Sequence, residues 1–372
     1  MTGALDGILV ADFSRILAGP YATMLLADLG ATVIKVERPV SGDDTRSWVP
    51  PVTPENHSTY FDSVNRNKKS LTLDFTEDRD RNRALNLARQ ADILVENHKV
   101  GALQKYGLDY PSLSVVNPQL IYCSISGFGS KTGSRLAGYD LLVQAMGGLM
   151  SITGDAEPTK VGVALVDVVT GLHAAIGILA ALHARESSGE GQQLEINLLS
   201  ALLSSMVNQS GAFALGGVTP ERMGNVHPSI APYEVFATQD QSMVIAVGNN
   251  SQFAQLCRVL ELHDLEKDPM YSTNQARVIN RLQLKELLEN RLKTDTSSVW
   301  TSLLNEAGVP CGPINSIDQA FNLASRLGLN PIVNGQVANP LTMSATPVEK
   351  YRPAPLLGES SQEIIDLLKL DQ

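Results

Sequence analysis

Cysteine is scarce in this chain. Cys123, Cys257 and Cys311 are its only three, too few for a disulfide framework and too scattered for a thiolate metal site. A reducing, cytoplasmic setting is expected. The six histidines, His57, His98, His173, His183, His227 and His263, never pair with a second His or Cys at zinc-ligand spacing, so no metal site is expected. Positive charge is also in short supply. With 29 Lys and Arg against 39 Asp and Glu, the formal net charge is −10, which argues against nonspecific nucleic-acid binding. The opening Met-Thr-Gly-Ala-Leu-Asp-Gly lacks the basic start and apolar run of a signal peptide. Val168–Leu182 is apolar but short for a membrane span, and Leu198–Leu215 carries four Ser with Asn208 and Gln209, so no membrane span is expected.

Two nucleotide and hydrolase signatures are missing as well. The turn after the first apolar run reads Ser-Arg-Ile-Leu-Ala-Gly-Pro, without the Gly-x-Gly-x-x-Gly that lets a backbone approach pyrophosphate, although Glu37 stands where a ribose-binding acid often sits. Ser126 lies in Ser-Ile-Ser-Gly-Phe-Gly, which is not a Gly-x-Ser-x-Gly elbow, and Cys123 reads as a buried strand residue.

What is present is alternation. Apolar strands are expected up to Phe13 and over 32–37, 70–74, 92–96, 120–126 and 193–197. Helices are expected from Pro20 to about Leu29 and over 77–89, 100–105, 139–150 and 168–185, with another starting at Leu198. That spacing means an α/β fold: a Rossmann-like large domain with a parallel sheet. Gly216 to Pro232 is rich in Gly and Pro and reads as a linker. A hairpin of 232–236 with 242–247 and helices near 251–260, 274–293 and 298–307 then describe a smaller α+β domain. The expected division is a large domain over 1–197, a connecting helix and linker over 198–231, a small domain over 232–312, and a C-terminal segment over 313–372 returning to the large domain. That last segment holds helices at 316–323 and 361–368.

Asp167 stands out. It is the only formally charged side chain between Val161 and Leu182, at the start of an apolar helix. Isolated charges are costly to bury. The residue is either an ordinary helix N-cap or a poorly solvated carboxylate held for nucleophilic work. Arg15, Arg38, Lys68, Lys69, Lys99 and Lys105 could gather to hold an anionic ligand, or could be solvated surface charges.

The motifs 12–20 (Asp-Phe-Ser-Arg-Ile-Leu-Ala-Gly-Pro), 27–38, 41–46 (Ser-Gly-Asp-Asp-Thr-Arg), 67–74, 91–97, 124–129, 138–140 (Gly-Tyr-Asp), 224–233, 308–313 and 354–359 resemble the class III CoA-transferases along essentially the whole chain. The resemblance implies an acyl-CoA:carboxylate CoA-transferase with no tightly bound cofactor, an acyl-CoA donor and a carboxylic-acid acceptor as partners, and an interlocked homodimer. It places the nucleophilic aspartate on Asp167 and CoA along Arg15, Ile16, Leu17 and Ala18. Arg38, Leu73, Asn97, His98, Lys99, Lys105 and Tyr139 would also meet CoA, with Lys105 where the family commonly has Arg. Tyr139, Asp140, Leu17, Gly248, Asn249 and Asn250 would support the active site. Related racemases carry a His base where this chain has Tyr139, and a tyrosine of reference pKa about 10 is a poor base near neutrality. Leu17 replaces the Gln of formyl-CoA transferases, which suits a larger acyl group such as succinyl. The alternatives are a racemase-type isomerase and a non-catalytic CoA-binding protein.

Overall fold

The structure, a computed structural model, describes residues 3–372. Met1 and Thr2, which open the expected first domain, lie outside the described residues. The chain divides into two compact units. One comprises the chain up to Met150, Lys160–Pro220 and Asn330–Gln372; the other comprises Ser151–Thr159 and Glu221–Leu329.

In the first unit, strands β1 (Leu9–Asp12), β2 (Thr32–Glu37), β3 (Lys69–Thr72), β4 (Ile93–Glu96), β5 (Ile121–Ser126) and β6 (Gln193–Asn197) form one sheet. Its order is β3-β2-β1-β4-β5-β6 and every pairing is parallel. Ile93, Leu94, Val95 and the closing Glu96 are all buried, as a strand covered on both faces should be. The helix Asp78–Gln90 turns Ala84, Leu87 and Ala88 onto the sheet, where they join Leu71, Leu94 and Ile364 in the core. Its first turn carries Asp78 and Asp80 and its last Arg89, matching the helix dipole.

Several expected helices are corrected. The helix expected over 100–105 is only a single tight turn at Gln104–Tyr106, and an unexpected helix follows at Tyr110–Val116, too short for its periodicity to show. The helix expected over 139–150 breaks at Gly147 and Gly148 into Asp140–Met146 and Leu149–Ile152. The apolar run at 168–182 belongs to a longer helix, Leu165–Ser188, whose 24 residues are long and apolar enough to cross a membrane by length and composition. It packs on the helix Ala18–Asp28 and on β5 and β6. After Leu198 two helices, Leu198–Ser205 and Val207–Gly216, meet at a bend of 85°.

The second unit holds the expected hairpin, β7 (Tyr233–Ala237) with β8 (Ser242–Ala246), and an unexpected third strand, β9 (Cys311–Pro313), antiparallel to β8. Phe236, Ile245, Phe253, Leu284, Leu288 and Trp300 centre its core. Asn280 divides the expected helix 274–293 into Asn274–Ile279 and Arg281–Leu292. This unit keeps the helix Ile317–Arg326, so the chain leaves it after Leu329 and not at 312. In the final segment, a short ribbon of β10 (Ile332–Val333) and β11 (Gln336–Val337) precedes the helix Ser361–Leu367. Ile364 and Ile365 of that helix enter the first unit's core, while Arg79 and Arg83 hold Asp371.

Candidate active site

The strand order reverses between β1 and β4, and open parallel sheets bind ligands beyond the carboxyl ends of the strands at such a point. Two loops emerge there. Asn97, just after β4, ties them together: its side-chain oxygen accepts from Arg15 N at 2.8 Å and its amide donates to Arg15 O at 2.7 Å. Ile16 is held at φ +71°, an unusual conformation for a β-branched residue. Its N–H donates to both carboxylate oxygens of Asp43, at 3.3 and 3.2 Å.

Asp43 rests on a buried ion pair with Lys35 at 2.9 Å. Burial alone would raise the Asp43 carboxyl; the Lys35 ammonium and hydrogen bonds from Lys35 and Thr45 together outweigh it and hold the group at about 2. Beneath lies a second fully buried pair, Lys68 with Asp12 at 3.0 Å, where burial brings the Lys68 ammonium down to about 8 despite Asp12. A set of internal charges thus fixes the backbone of the loop Arg15–Ala18.

Asp167 occupies the first turn of the helix Leu165–Ser188, half-buried. It lines a cavity of about 360 Å³ together with Arg15, Ile16, Leu17, Ala18, Asn97, His98, Lys99 and Tyr139. That volume suits a small ligand. Burial first, and the Asp140 carboxylate second, push the Asp167 carboxyl from its usual 3.8 to about 7. Asp140 is not on the wall; it accepts from Val166 N at 2.8 Å and from Gln144 Nε2 at 2.7 Å. Close approaches shape the surround. A Cβ on Gly171, one turn beyond Asp167, would come within 2.7 Å of Ala18 O, and a Cβ on Gly127 would come within 2.4 Å of the Gly138 Cα.

A second cavity, of about 620 Å³, shares Arg15 and His98 with the first and is also lined by Arg38, Leu73 and Lys105. Asp44 bridges its arginines, at 3.0 Å from Arg15 Nη1 and 2.5 Å from Arg38 Nη2. Burial, with Arg15 nearby, lowers the His98 imidazole to about 4, so the ring is neutral at physiological pH. The expected CoA residues therefore fall along two adjoining cavities that meet at Arg15 and His98. Gly248, Asn249 and Asn250 lie in the second unit and have local tasks: Gly248 N donates to Gln252 Oε1, Asn249 caps the helix Asn250–Val259, and Asn250 accepts from Arg277 at 3.0 Å.

The family model described as CoA-transferase family III matches residues 5–361. The chain belongs to this family. Among its relatives, the succinate–glutarate CoA-transferase of Agrobacterium fabrum is 42% identical, over 97% of this chain and 94% of that protein. The human succinyl-CoA:glutarate CoA-transferase is 40% identical, over 99% and 86%. The acetyl-CoA:oxalate CoA-transferase of Acetobacter aceti is 39% identical, over 96% and 94%. A crystal structure of a CaiB/BaiF family protein from Brucella suis superposes with a TM-score of 0.89 at 41% identity, covering 99% of this chain and all of that one.

Some residues of this candidate site gave little individual signal in the sequence. Asp43, Asp44 and Lys35 were not singled out as individuals, although a Lys inside the apolar strand Thr-Val-Ile-Lys-Val-Glu is itself a signal of a buried partner. Arg135 and Leu198, which also line the Asp167 cavity, carried no signal in their local patterns.

Proposed function

We propose that this family III CoA-transferase moves CoA from a short dicarboxylyl-CoA, succinyl-CoA, to a dicarboxylic acid, with Asp167 as the nucleophile. The observation that carries the reading is a single poorly solvated carboxylate on the wall of the cavity at the strand-order reversal. Relatives at about 40% identity whose names specify succinyl-CoA or succinate with glutarate support the substrate class.

An Asp167 carboxylate oxygen attacks the thioester carbonyl, forms an anhydride and expels CoA thiolate. The thiolate then attacks the aspartyl carbonyl, breaks the anhydride C–O bond and frees the donor acid, leaving an enzyme–CoA thioester. The acceptor carboxylate attacks that thioester and again expels thiolate. Attack of thiolate on the acceptor's carbonyl yields the new acyl-CoA and restores Asp167. Every step exchanges one activated acyl bond for another, so no ATP is needed, provided water is kept away. The apolar wall of Ile16, Leu17 and Leu198 serves that exclusion. CoA would run from Asp167 past His98 into the larger cavity, with its phosphates toward Arg38 and Lys105.

The same reading includes a cytoplasmic, interlocked homodimer. Three free cysteines accord with a reducing compartment. Ile176, Phe213 and Leu215 are 64%, 64% and 93% exposed on their helices, apolar surface that a second copy would cover. A solution mass of one chain would contradict the dimer.

A matrix of acyl-CoA donors against carboxylic-acid acceptors, read by mass spectrometry, tests the function. Transfer from succinyl-CoA to glutarate and a covalent mass increase on Asp167 are expected. Turnover by Asp167→Ala, or α-proton exchange without any acceptor, would overturn it.

A further inference from the structure

The cavity beside Asp167 carries four basic side chains on its wall, Arg15, His98, Lys99 and Arg135. Two have other commitments. Arg15 bears Asp44 at 3.0 Å, and His98 is neutral. Lys99 is unpaired among the described residues, but it also lines a neighbouring cavity that presents Glu96, Asp109 and Glu195. Arg135 is exposed and stands at the rim of the Asp167 cavity. Among the described residues its guanidinium has no ion-pair or hydrogen-bond partner, and Asp167 is the only acidic side chain lining the same cavity.

The position of Arg135 is set by its backbone. It ends the tight turn Thr132–Arg135, closed by Leu136 N donating to Gly133 O at 3.0 Å. Gly133 lies so close to the Phe128 carbonyl that a Cβ there would come to 2.0 Å of its oxygen. The segment is therefore pressed onto the loop that follows β5.

A dicarboxylic acyl group brings a second carboxylate into this cavity. Leu17, Leu136 and Leu198 give that charge nothing to bind. A free guanidinium offers a fork matched to a carboxylate. We infer that Arg135 reads the far carboxylate of the dicarboxylic acyl group and of the diacid acceptor while the near one reacts at Asp167. The inference rests on the transferase reading above and names the residue that selects its substrate class.

The test compares glutarate with valerate, a monoacid of equal carbon count, as acceptors for succinyl-CoA, in the wild type, Arg135→Gln and Arg135→Lys. The readout is the ratio of kcat/KM for glutarate to that for valerate. With Arg135→Gln, kcat/KM for glutarate falls about 10- to 100-fold, the scale of a charge-assisted hydrogen bond, and the ratio shrinks accordingly. Arg135→Lys recovers part of the loss, and the Kd for free CoA stays unchanged in both variants. An unchanged ratio, or equal loss with both acceptors, overturns the assignment. Absence of any transfer by the wild type would instead overturn the transferase reading itself.

Discussion

Asp140 Oδ1 accepts the N–H of Val166 at 2.8 Å, capping from a neighbouring helix the end of Leu165–Ser188, whose own N-cap residue, Ala164, offers no side-chain acceptor. The same carboxylate raises the pKa of Asp167. Two variants separate the effects. Asp140→Asn keeps an oxygen for Val166 but removes the charge, so the midpoint of the pH–activity curve should move to the acid side with little change in Tm. Asp140→Ala removes both, and should also lower stability by about 1 kcal/mol, the usual cost of a lost cap. Equal pH midpoints in all three proteins would show that burial alone sets the Asp167 proton affinity.

The wild-type pH profile follows from the same carboxyl. In the proposed mechanism only the ionised form attacks the thioester, and burial with Asp140 raises its pKa to about 7. Thus kcat/KM for acyl-CoA should rise tenfold per pH unit below 7 and level off above it. The one free carboxyl of succinyl-CoA, like Glu at about 4.3, is ionised above pH 6 and contributes no limb there. A flat profile between pH 6 and 8 would contradict the assignment.

Stability should move the opposite way. Because folding raises the Asp167 pKa from 3.8 to about 7, the folded protein binds this proton more tightly than the unfolded chain. The group therefore costs nothing below pH 3.8, costs progressively more as pH rises to 7, and costs its full amount above. Asp167→Asn imitates the protonated form. It should be inactive yet more stable than wild type at pH 8 by about 2–4 kcal/mol, with the advantage vanishing near pH 4. Denaturant titrations at the two pH values check the sign.

The sheet was legible because its strands are short apolar runs at regular spacing, and Asp167 was legible because a lone charge in an apolar helix demands a reason. The chain motifs carried most of the rest of the cavity wall. Three things were not legible. Helices of the length of Tyr110–Val116 hold too few turns for periodicity to show, and a three-residue strand such as β9 has no pattern at all. Asp140 was expected to support the active site, but that its carboxylate accepts from Val166 and Gln144 could not be read from its place beside Tyr139. The pairing of Lys35 with Asp43 joins a strand to a loop, and only folding shows which charges meet.

That pair supports the last prediction. Asp43→Asn leaves the fully buried Lys35 ammonium without its direct partner, and breaking such a pair typically costs 3–5 kcal/mol. It also weakens the acceptor that holds Ile16 N in its left-handed turn, so the loop Arg15–Ala18 should relax and the KM for acyl-CoA should rise. Loss of fold and loss of loop geometry must then be told apart. The double variant Lys35→Met with Asp43→Leu refills the interior with apolar atoms, an exchange that is often neutral for stability. Its Tm should recover most of the loss while its KM stays high, since leucine gives the Ile16 N–H nothing to bind. Recovery of both would show that the loop keeps its shape without Asp43, and that the buried charges serve the core alone.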